Sequence, residues 1–376
     1  VKNQSDIINV AKLFLKLGFT AFGGPAVHIA MMRQEVVCRR NWMGEQQFLD
    51  LIGATNLIPG PNSTEMAIHI GYERAGIKGL ITAGLCFVIP AVFITVTFAW
   101  LYKNFGQLPA VQPFLYGVKP AIIAVILTAI FPLAKKSITS IWLGLVGICT
   151  LTLSLLGIQE IYLLFGAGAL ALLVTYVKSS GTSITNTFFP FLLLQAPAAT
   201  LISASNMHLF WIFLKIGSIL YGSGYVLFAF LDTELVSTGL LTRHQLIDAI
   251  AVGQFTPGPV FSAVTFVGYQ INGPWGAFAA TIGIFLPAFV FVALLNPVVK
   301  AMRHSQFFSF FLDAVNVASV AIIVSVCYQM EKDNLSDWRS VSISIFAIAA
   351  MLYFKNINSA YIVIGGAVAG YLLLQI

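Results

Sequence analysis

The residue types that could do chemistry in this chain are few. Asn56, Asn62, Ser63 and Thr64 gather around Pro59-Gly60-Pro61, with Glu65 directly after; Gln254 and Ser262 flank Pro257-Gly258-Pro259 nearly 200 residues later. Neutral amide and hydroxyl donors at a helix start suit an oxyanion that must be bound and released, although the same residues also serve as caps. Lys16 and Lys215 lie within apolar segments. A charge at membrane depth costs about 3 kcal/mol on insertion scales. Two such costs at matched places suggest use on an anion, the alternative being that each long stem snorkels to the interface. Glu65 could bind a proton, cap free N–H groups or pair with a base. Arg33, Glu35, Arg39 and Arg40 follow the first apolar segment and read either as topology determinants or as a funnel and gate for anions. Asp50 and Asp248 are matched acids placed to stabilise helix starts.

Other chemistries find no residues to carry them. Cys38, Cys86, Cys149 and Cys327 form no C-x-x-C pair, and His28, His69, His208, His244 and His304 have no metal-ligand spacing; only His28, just after Pro25, draws interest. There is no Walker loop and no nucleophile–base set. The expectation is a protein that is not an enzyme and needs neither metal, cofactor nor ATP.

Composition says where such residues must sit. Of 376 residues, 58% are hydrophobic and only 9% charged, against about 25% charged in soluble domains. Several apolar runs reach the roughly 20 residues that span a bilayer. The chain therefore reads as an all-α polytopic membrane protein without a soluble domain and without a signal-peptide pattern at its start. Its net charge of +6 reports orientation rather than nucleic-acid binding, and suits an anionic substrate.

The elements that position the polar residues are interrupted helices. Two prolines around a glycine cannot continue a helix, so the Asn56–Glu65 stretch must end one helix and start another. The first apolar segment, about 7–32, is bent or unwound at Phe22-Gly23-Gly24-Pro25. The pieces on either side of Pro-Gly-Pro, about 46–58 and 62–72, are each about 16 to 20 Å long at 1.5 Å per residue, too short to cross alone. Ordinary spans follow at about 80–102, 113–133, 138–156 and 161–177. A polar, proline-bearing stretch, 179–207, reads as a linker with an interfacial helix. The second half repeats the plan at about 208–231, 245–256, 260–269, 276–298, 307–328, 340–354 and 360–374.

The repeat can be laid residue on residue. Lys16 falls on Lys215, Gly18 on Gly217, Gly23 on Gly222, Glu35 on Glu234, Asp50 on Asp248, Gly60 on Gly258, Gly71-Tyr72 on Gly268-Tyr269 and Pro90 on Pro287. Ordered Gly, Pro, Lys and Glu matches are hard to obtain by chance in apolar sequence. Basic residues favour the cytoplasmic side. Arg33, Arg39, Arg40, Arg74 and Lys78 flank the first broken pair, whereas Asp232, Glu234 and a single Arg243 precede the second. The bias flips loop by loop, which predicts inverted-topology repeats, 1–178 and 208–376. It also puts both loops beside each broken pair on one side, which predicts a re-entrant Pro-Gly-Pro hairpin plus about five transmembrane helices per half. Secondary transporters use such repeats, with sites where half-helix ends meet. Helix starts at Asn62 and after Gly23-Gly24 present free N–H groups and point to an anion rather than a metal cation.

At these residues the sequence resembles a known family. Phe22-Gly23-Gly24-Pro25 with His28, Met32-Arg33-x-Glu35, Arg39-Arg40-x-Trp42, the Asn56–Glu65 run, Gly71-Tyr72 and Pro90-Ala91 are similar to the chromate ion transporter family, long-chain two-domain type. Tyr221-Gly222, Gln254, Pro257-Gly258-Pro259 and Gly268-Tyr269 resemble its second domain. The resemblance implies a multi-pass inner-membrane protein that exports chromate and confers resistance. The second domain departs from the first, with Val260-Phe261-Ser262-Ala263 where the first has Asn62-Ser63-Thr64-Glu65. The main site is therefore expected at the first hairpin tip with Lys16 nearby, and Lys215, Gln254 and Ser262 as secondary contributors. Sulfate or another oxyanion as cargo, a channel mechanism, proton coupling and a homodimer stay open.

Overall fold

The computed structural model describes residues 4–22, 24–178, 205–221, 224–302, 306–334, 337–354 and 357–375; the 179–207 linker falls almost wholly outside them. Its secondary structure is helical throughout: α1 Gln4–Thr20, α2 Pro25–Arg33, α3 Glu45–Thr55, α4 Asn62–Phe105, α5 Gln112–Ser137, α6 Ile141–Leu155, α7 Glu160–Lys178, α8 Asn206–Ile219, α9 Val226–Leu231, α10 Arg243–Phe255, α11 Ala263–Met302, α12 Gln306–Asn334, α13 Trp338–Tyr353 and α14 Ser359–Leu373. Short π-helical turns extend α2 over Gln34–Arg39 and α9 over Asp232–Val236. Stretches of α4, α5, α11 and α12 are long and apolar enough to cross a bilayer, and α6, α7, α13 and α14 are shorter apolar helices. The chain is a multi-pass membrane protein.

The expected helix pieces are present, with one reversal that periodicity does not reveal. α4 is two helices joined at Ala75 and Gly76, where Gly76 takes φ 65° and ψ −151°. A Cβ on Gly71 would lie 2.3 Å from the Gly79 carbonyl oxygen. Eight residues of straight helix would hold those two about 12 Å apart. The leg 62–74 therefore packs back along the leg 77–105, and glycine is needed for both the left-handed turn and the backbone contact. α11 repeats this at Asn272 and Gly273 (φ 61°, ψ −150°), with Gly268 on Gly276 and a 2.8 Å hydroxyl pair between Thr265 and Thr281.

The first apolar segment corrects the expectation of one bent span. In a straight or gently bent helix Lys16 and Glu35 would be about 28 Å apart. Instead Lys16 Nζ lies 2.8 Å from Glu35 Oε1, and His28 Nε2 lies 3.1 Å from the Ala21 carbonyl oxygen. α2 therefore turns back along α1. α8 and α9 do the same, with Lys215 Nζ 2.6 Å from Glu234 Oε1. Besides these turned-back pairs, the described residues of each half hold further apolar helices: α4's long leg, α5, α6 and α7, then α11's long leg, α12, α13 and α14.

Contacts fix the ends of the bundle. Arg74 binds Asp6 at 2.7 Å, and Arg40 and Arg74 both cover the Trp42 ring, so one face collects the start of α1, the end of α2 and the α4 reversal. At the other end of α4, Lys103 lies over Tyr269, Gln270 bonds Ala99 O at 3.0 Å and Asn272 bonds Asn206 at 3.1 Å. That face holds the start of α8 and the α11 reversal. Between the faces, α1 packs on α4 and α8 on α11, closely enough that Cβ atoms on Gly18 and Gly217 would lie 2.9 and 2.5 Å from the Phe87 and Ile284 carbonyl oxygens.

Candidate functional site

Each Pro-Gly-Pro break ends on the other half of the chain. The Gly60 N–H donates to the Leu220 carbonyl at 2.8 Å, and the Gly258 N–H donates to the Ala21 carbonyl at 2.9 Å. Ala21 and Leu220 are the equivalent residues that follow α1 and α8. The two breaks thus form a reciprocal clasp. Gly60 (φ 135°) and Gly258 (φ 86°) adopt backbone conformations open to glycine alone at little cost. The space is also taken: a Cβ on Gly60 would lie 2.5 Å from Glu65 Oε1, and one on Gly258 2.9 Å from the Ala91 Cβ.

The first break is the polar one. α4 starts at Asn62 behind Pro61, with no side-chain cap. The backbone N–H groups of Thr64 and Glu65 turn back to the Pro61 carbonyl, whereas those of Asn62 and Ser63 precede the first intrahelical bonds. The capping role open to Asn62, Ser63 and Thr64 is not taken up; Asn62 Nδ2 instead bonds Asn56 Oδ1 at 3.2 Å. Ser63, Thr64 and Glu65 are buried. Thr64 Oγ1 and both Glu65 carboxyl oxygens have no hydrogen-bond partner among the described residues. Tyr221, just past α8, is the electrostatic neighbour of Glu65, and buried His69 sits one turn further along the same face. A buried carboxyl lacking donors is unusual, because desolvation is normally compensated by hydrogen bonds.

The second break is mostly apolar. Val260, Phe261 and Ser262 form a 3₁₀ turn ahead of α11. Ser262 receives a 3.4 Å contact from Thr95 Oγ1 of the first half, and Gln254 is buried with Nε2 unpartnered among the described residues. Gly24 (φ 83°) precedes α2, again with no side-chain cap, while Gly23 lies outside the described residues. His28 is buried against Phe87 and closes the α1–α2 turn.

The lysines are placed differently from the sequence expectation. The first tip touches Gly217 and Leu220 of the second half, not the Lys16 region; Gly18 and Ala21 meet the second tip. Lys16 lies toward the face of Arg39, Arg40 and Trp42, with its side chain 52% exposed. There Glu35 accepts from Lys16, from Arg39 Nη1 at 3.0 Å and from Arg40 Nε at 3.2 Å. The Lys16 hydrogen bond above all, with Arg40 and Arg39, holds the Glu35 carboxyl down at about 2 against the opposing effect of burial. Arg33 is spent on Glu45 at 2.7 Å. On the opposite face Lys215 meets Glu234 alone, and Arg243 binds Asp232 through Nε and Nη2, both at 3.0 Å. The first rim holds three cations around one carboxylate and a separate Arg33–Glu45 pair; the second holds two one-to-one pairs.

Three features escaped sequence reading. Both Lys–Glu bridges span the same 19 residues, a spacing visible once the repeat is aligned but without meaning until α2 is known to turn back. Asp248 is not a helix-start acid: it is buried, and Tyr102 donates to its Oδ2 at 2.6 Å. Asp50 stays exposed beside Gln46. The carbonyls of Ala21 and Leu220 left no sequence signal, since any residue supplies one.

Comparison with known proteins finds the same family model twice along the chain. The chromate transporter family model matches residues 8–172 and again residues 207–371. A probable chromate transport protein of Synechococcus elongatus is 29% identical over 96% of this chain and 94% of its own. Chromate transport proteins of Pseudomonas aeruginosa and Cupriavidus metallidurans are each 30% identical, over 96% and 95% of this chain and 91% and 90% of theirs. No solved structure matches the chain.

Proposed function

The chain belongs to the chromate transporter family, and we propose that it exports chromate across the inner membrane as a secondary transporter, so conferring resistance. The reciprocal clasp carries this reading. Helix interruptions that meet inside a membrane protein are where such transporters hold their cargo, and irregular backbone at that depth is tolerated only when buried or lining a cavity. The pairing of Gly60 with Leu220 and Gly258 with Ala21 supports two inverted repeats, 1–178 and 208–376, joined by 179–207. In this arrangement α3 with the short leg of α4 is a re-entrant hairpin, α1 with α2 is a second, and each has a counterpart in the other half.

In this reading the dianion sits at the first tip. The N–H groups of Asn62 and Ser63 with the positive end of the helix, Asn56, and the hydroxyls of Ser63 and Thr64 receive it. Gly24 presents the start of α2, and Gln254 and Ser262 contribute from the second half, whereas Lys215 stays with Glu234 on the opposite rim. Lys16, Glu35, Arg39 and Arg40, with Arg33, form the gate and electrostatic funnel on the cytoplasmic side. Glu65 is the group that would add proton coupling, because an ionised carboxylate and a dianion repel each other at one helix start. Moving two negative charges outward gains about 4.6 kcal/mol per 100 mV, from about 2.3 per charge, so export can run on the membrane potential alone.

Inverted membrane vesicles test the proposal. They should take up chromate saturably, faster with an interior-positive potential, with sulfate competing as a tetrahedral dianion and Lys16→Ala abolishing uptake. Conductance that does not saturate would instead indicate a channel, and uptake of sulfate or molybdate without chromate a different oxyanion carrier. Wild-type rates in Lys16→Ala would remove that residue from the gate.

A further inference from the structure

The long legs of α4 and α11 cross on the outside of the bundle and leave an open groove of about 670 Å³ between them. Ile81, Leu85, Ile89 and Val92 line one wall, and Phe278 and Phe285 the other. Its two hydroxyls, Thr265 and Thr281, bond each other and offer the groove nothing polar. From Ile81 to Val96 it runs about 22 Å along the helix, most of a hydrocarbon core of about 30 Å. At one end the same helical stripe carries Lys78, three residues before Ile81 and seven before Leu85, on the face α4 turns to the groove. Lys78 is exposed and makes no ion pair among the described residues. It belongs to the face that collects Arg33, Arg39, Arg40 and Arg74. At the other end, by Pro274 and Trp275, Lys103 lies over the Tyr269 ring.

We propose that this groove is a binding site for one acidic phospholipid, with an acyl chain between the long legs of α4 and α11 and its phosphate on the Lys78 ammonium. An apolar channel of membrane length with an exposed ammonium that makes no ion pair or ring contact among the described residues at one mouth, and with Lys103 held over Tyr269 at the other, has the polarity of such a lipid. The basic face is the one that basic residues assign to the cytoplasmic leaflet, where anionic lipids attract juxtamembrane cations. A second copy of the chain fits less well. A two-fold contact is self-complementary, so it would set two Lys78 ammonium groups at the same depth with no acid supplied for either. The site does not depend on which anion the transporter carries.

Full-length protein purified from membranes and reconstituted with equal phosphatidylglycerol and phosphatidylcholine, then read by native mass spectrometry, tests this. One retained phosphatidylglycerol is expected, preferred about fivefold, the factor corresponding to about 1 kcal/mol for one basic residue at an anionic surface. Lys78→Gln should lose the preference while the groove still retains lipid, and Leu85→Trp, which fills the groove, should lose retention altogether. Lys78→Gln lies on an exposed surface and Leu85→Trp on the outer wall, so a native elution profile for either keeps the result interpretable. Equal retention of the two lipids by the unmodified chain would overturn the proposal. So would unchanged retention in both variants, or disulfide-linked dimers formed through Ile89→Cys.

Discussion

The two Pro-Gly-Pro breaks share a backbone and differ in what they offer a ligand. Both glycines donate across to the other half at nearly the same distance, 2.8 and 2.9 Å. Around the first lie Asn62, Ser63, Thr64 and a carboxyl without hydrogen-bond partners among the described residues; around the second lie Gln254, Thr256 and Ser262 beside Val260 and Phe261, with no acid. The rims differ in the same way, with three cations on one carboxylate plus the Arg33–Glu45 pair against two one-to-one pairs. What both halves need to fold has stayed matched: the glycine turns, the helix reversals and the Lys–Glu bridges. What could recognise an anion is concentrated in one half. On the proposed reading, a clasp of two equal hooks supports one site, with the second hook as scaffold for the first.

The clasp is where the comparison breaks most readily. Gly258→Ala should be the most damaging change considered, since its Cβ would meet the Ala91 Cβ at 2.9 Å in a backbone conformation alanine avoids. Strain and overpacking of this kind cost about 1–3 kcal/mol each, and the expected outcome is loss of both monodisperse protein and vesicle transport. Gly60→Ala should be milder, because the atom it meets is the movable end of Glu65, and Gly60→Ala with Glu65→Ala should recover folding further. Fluorescence-detected chromatography and thermal melts of the three variants decide it. If Gly60→Ala were the worse of the two, the scaffold role of the second hook would be wrong.

The lysines sharpen the comparison with a smaller effect. Lys16→Ala leaves Glu35 with Arg39 and Arg40, so stability should hardly change while transport is lost. Lys215→Ala leaves Glu234 without its cation, and should lower stability by about 1 kcal/mol, the upper range for a pair this exposed. Equal melting shifts in the two variants would show the bridges to be equivalent.

The smallest effect is in pH. Glu35 is held at about 2 by Lys16 and the arginines, below an unfolded value of about 4.3. A depressed carboxyl contributes its full stabilisation above the unfolded value and loses it as pH falls through the folded one. The melting difference between the unmodified chain and Glu35→Gln should therefore be flat from about pH 5 to 8 and close between about pH 4 and 2. A slope near pH 6–7 would mean that Glu35 is not engaged in this way.

Much of this architecture was legible in the order of residues. Apolar runs long enough to span, with so few charges between them, left no alternative to a membrane protein. Pro-Gly-Pro removes N–H donors and clashes with the preceding turn wherever it occurs, so the helix breaks at 59–61 and 257–259 follow from local chemistry. The duplication follows from ordered Gly, Pro, Lys and Glu matches. Tertiary structure decided what those breaks touch. That α2 turns back along α1 depends on Lys16 finding Glu35, and that 62–74 folds onto 77–105 depends on two glycine backbones in contact. Local pattern assigns a helix to each piece but no direction relative to its neighbours. The clasp was beyond any pattern, because its acceptors are the backbone carbonyls of Ala21 and Leu220, which are chemically the same for every residue. Composition and breaks were thus fixed by side-chain chemistry along the chain. The pairing of the first tip with the second half was fixed by packing across it, which moved Lys16 from the tip to the rim.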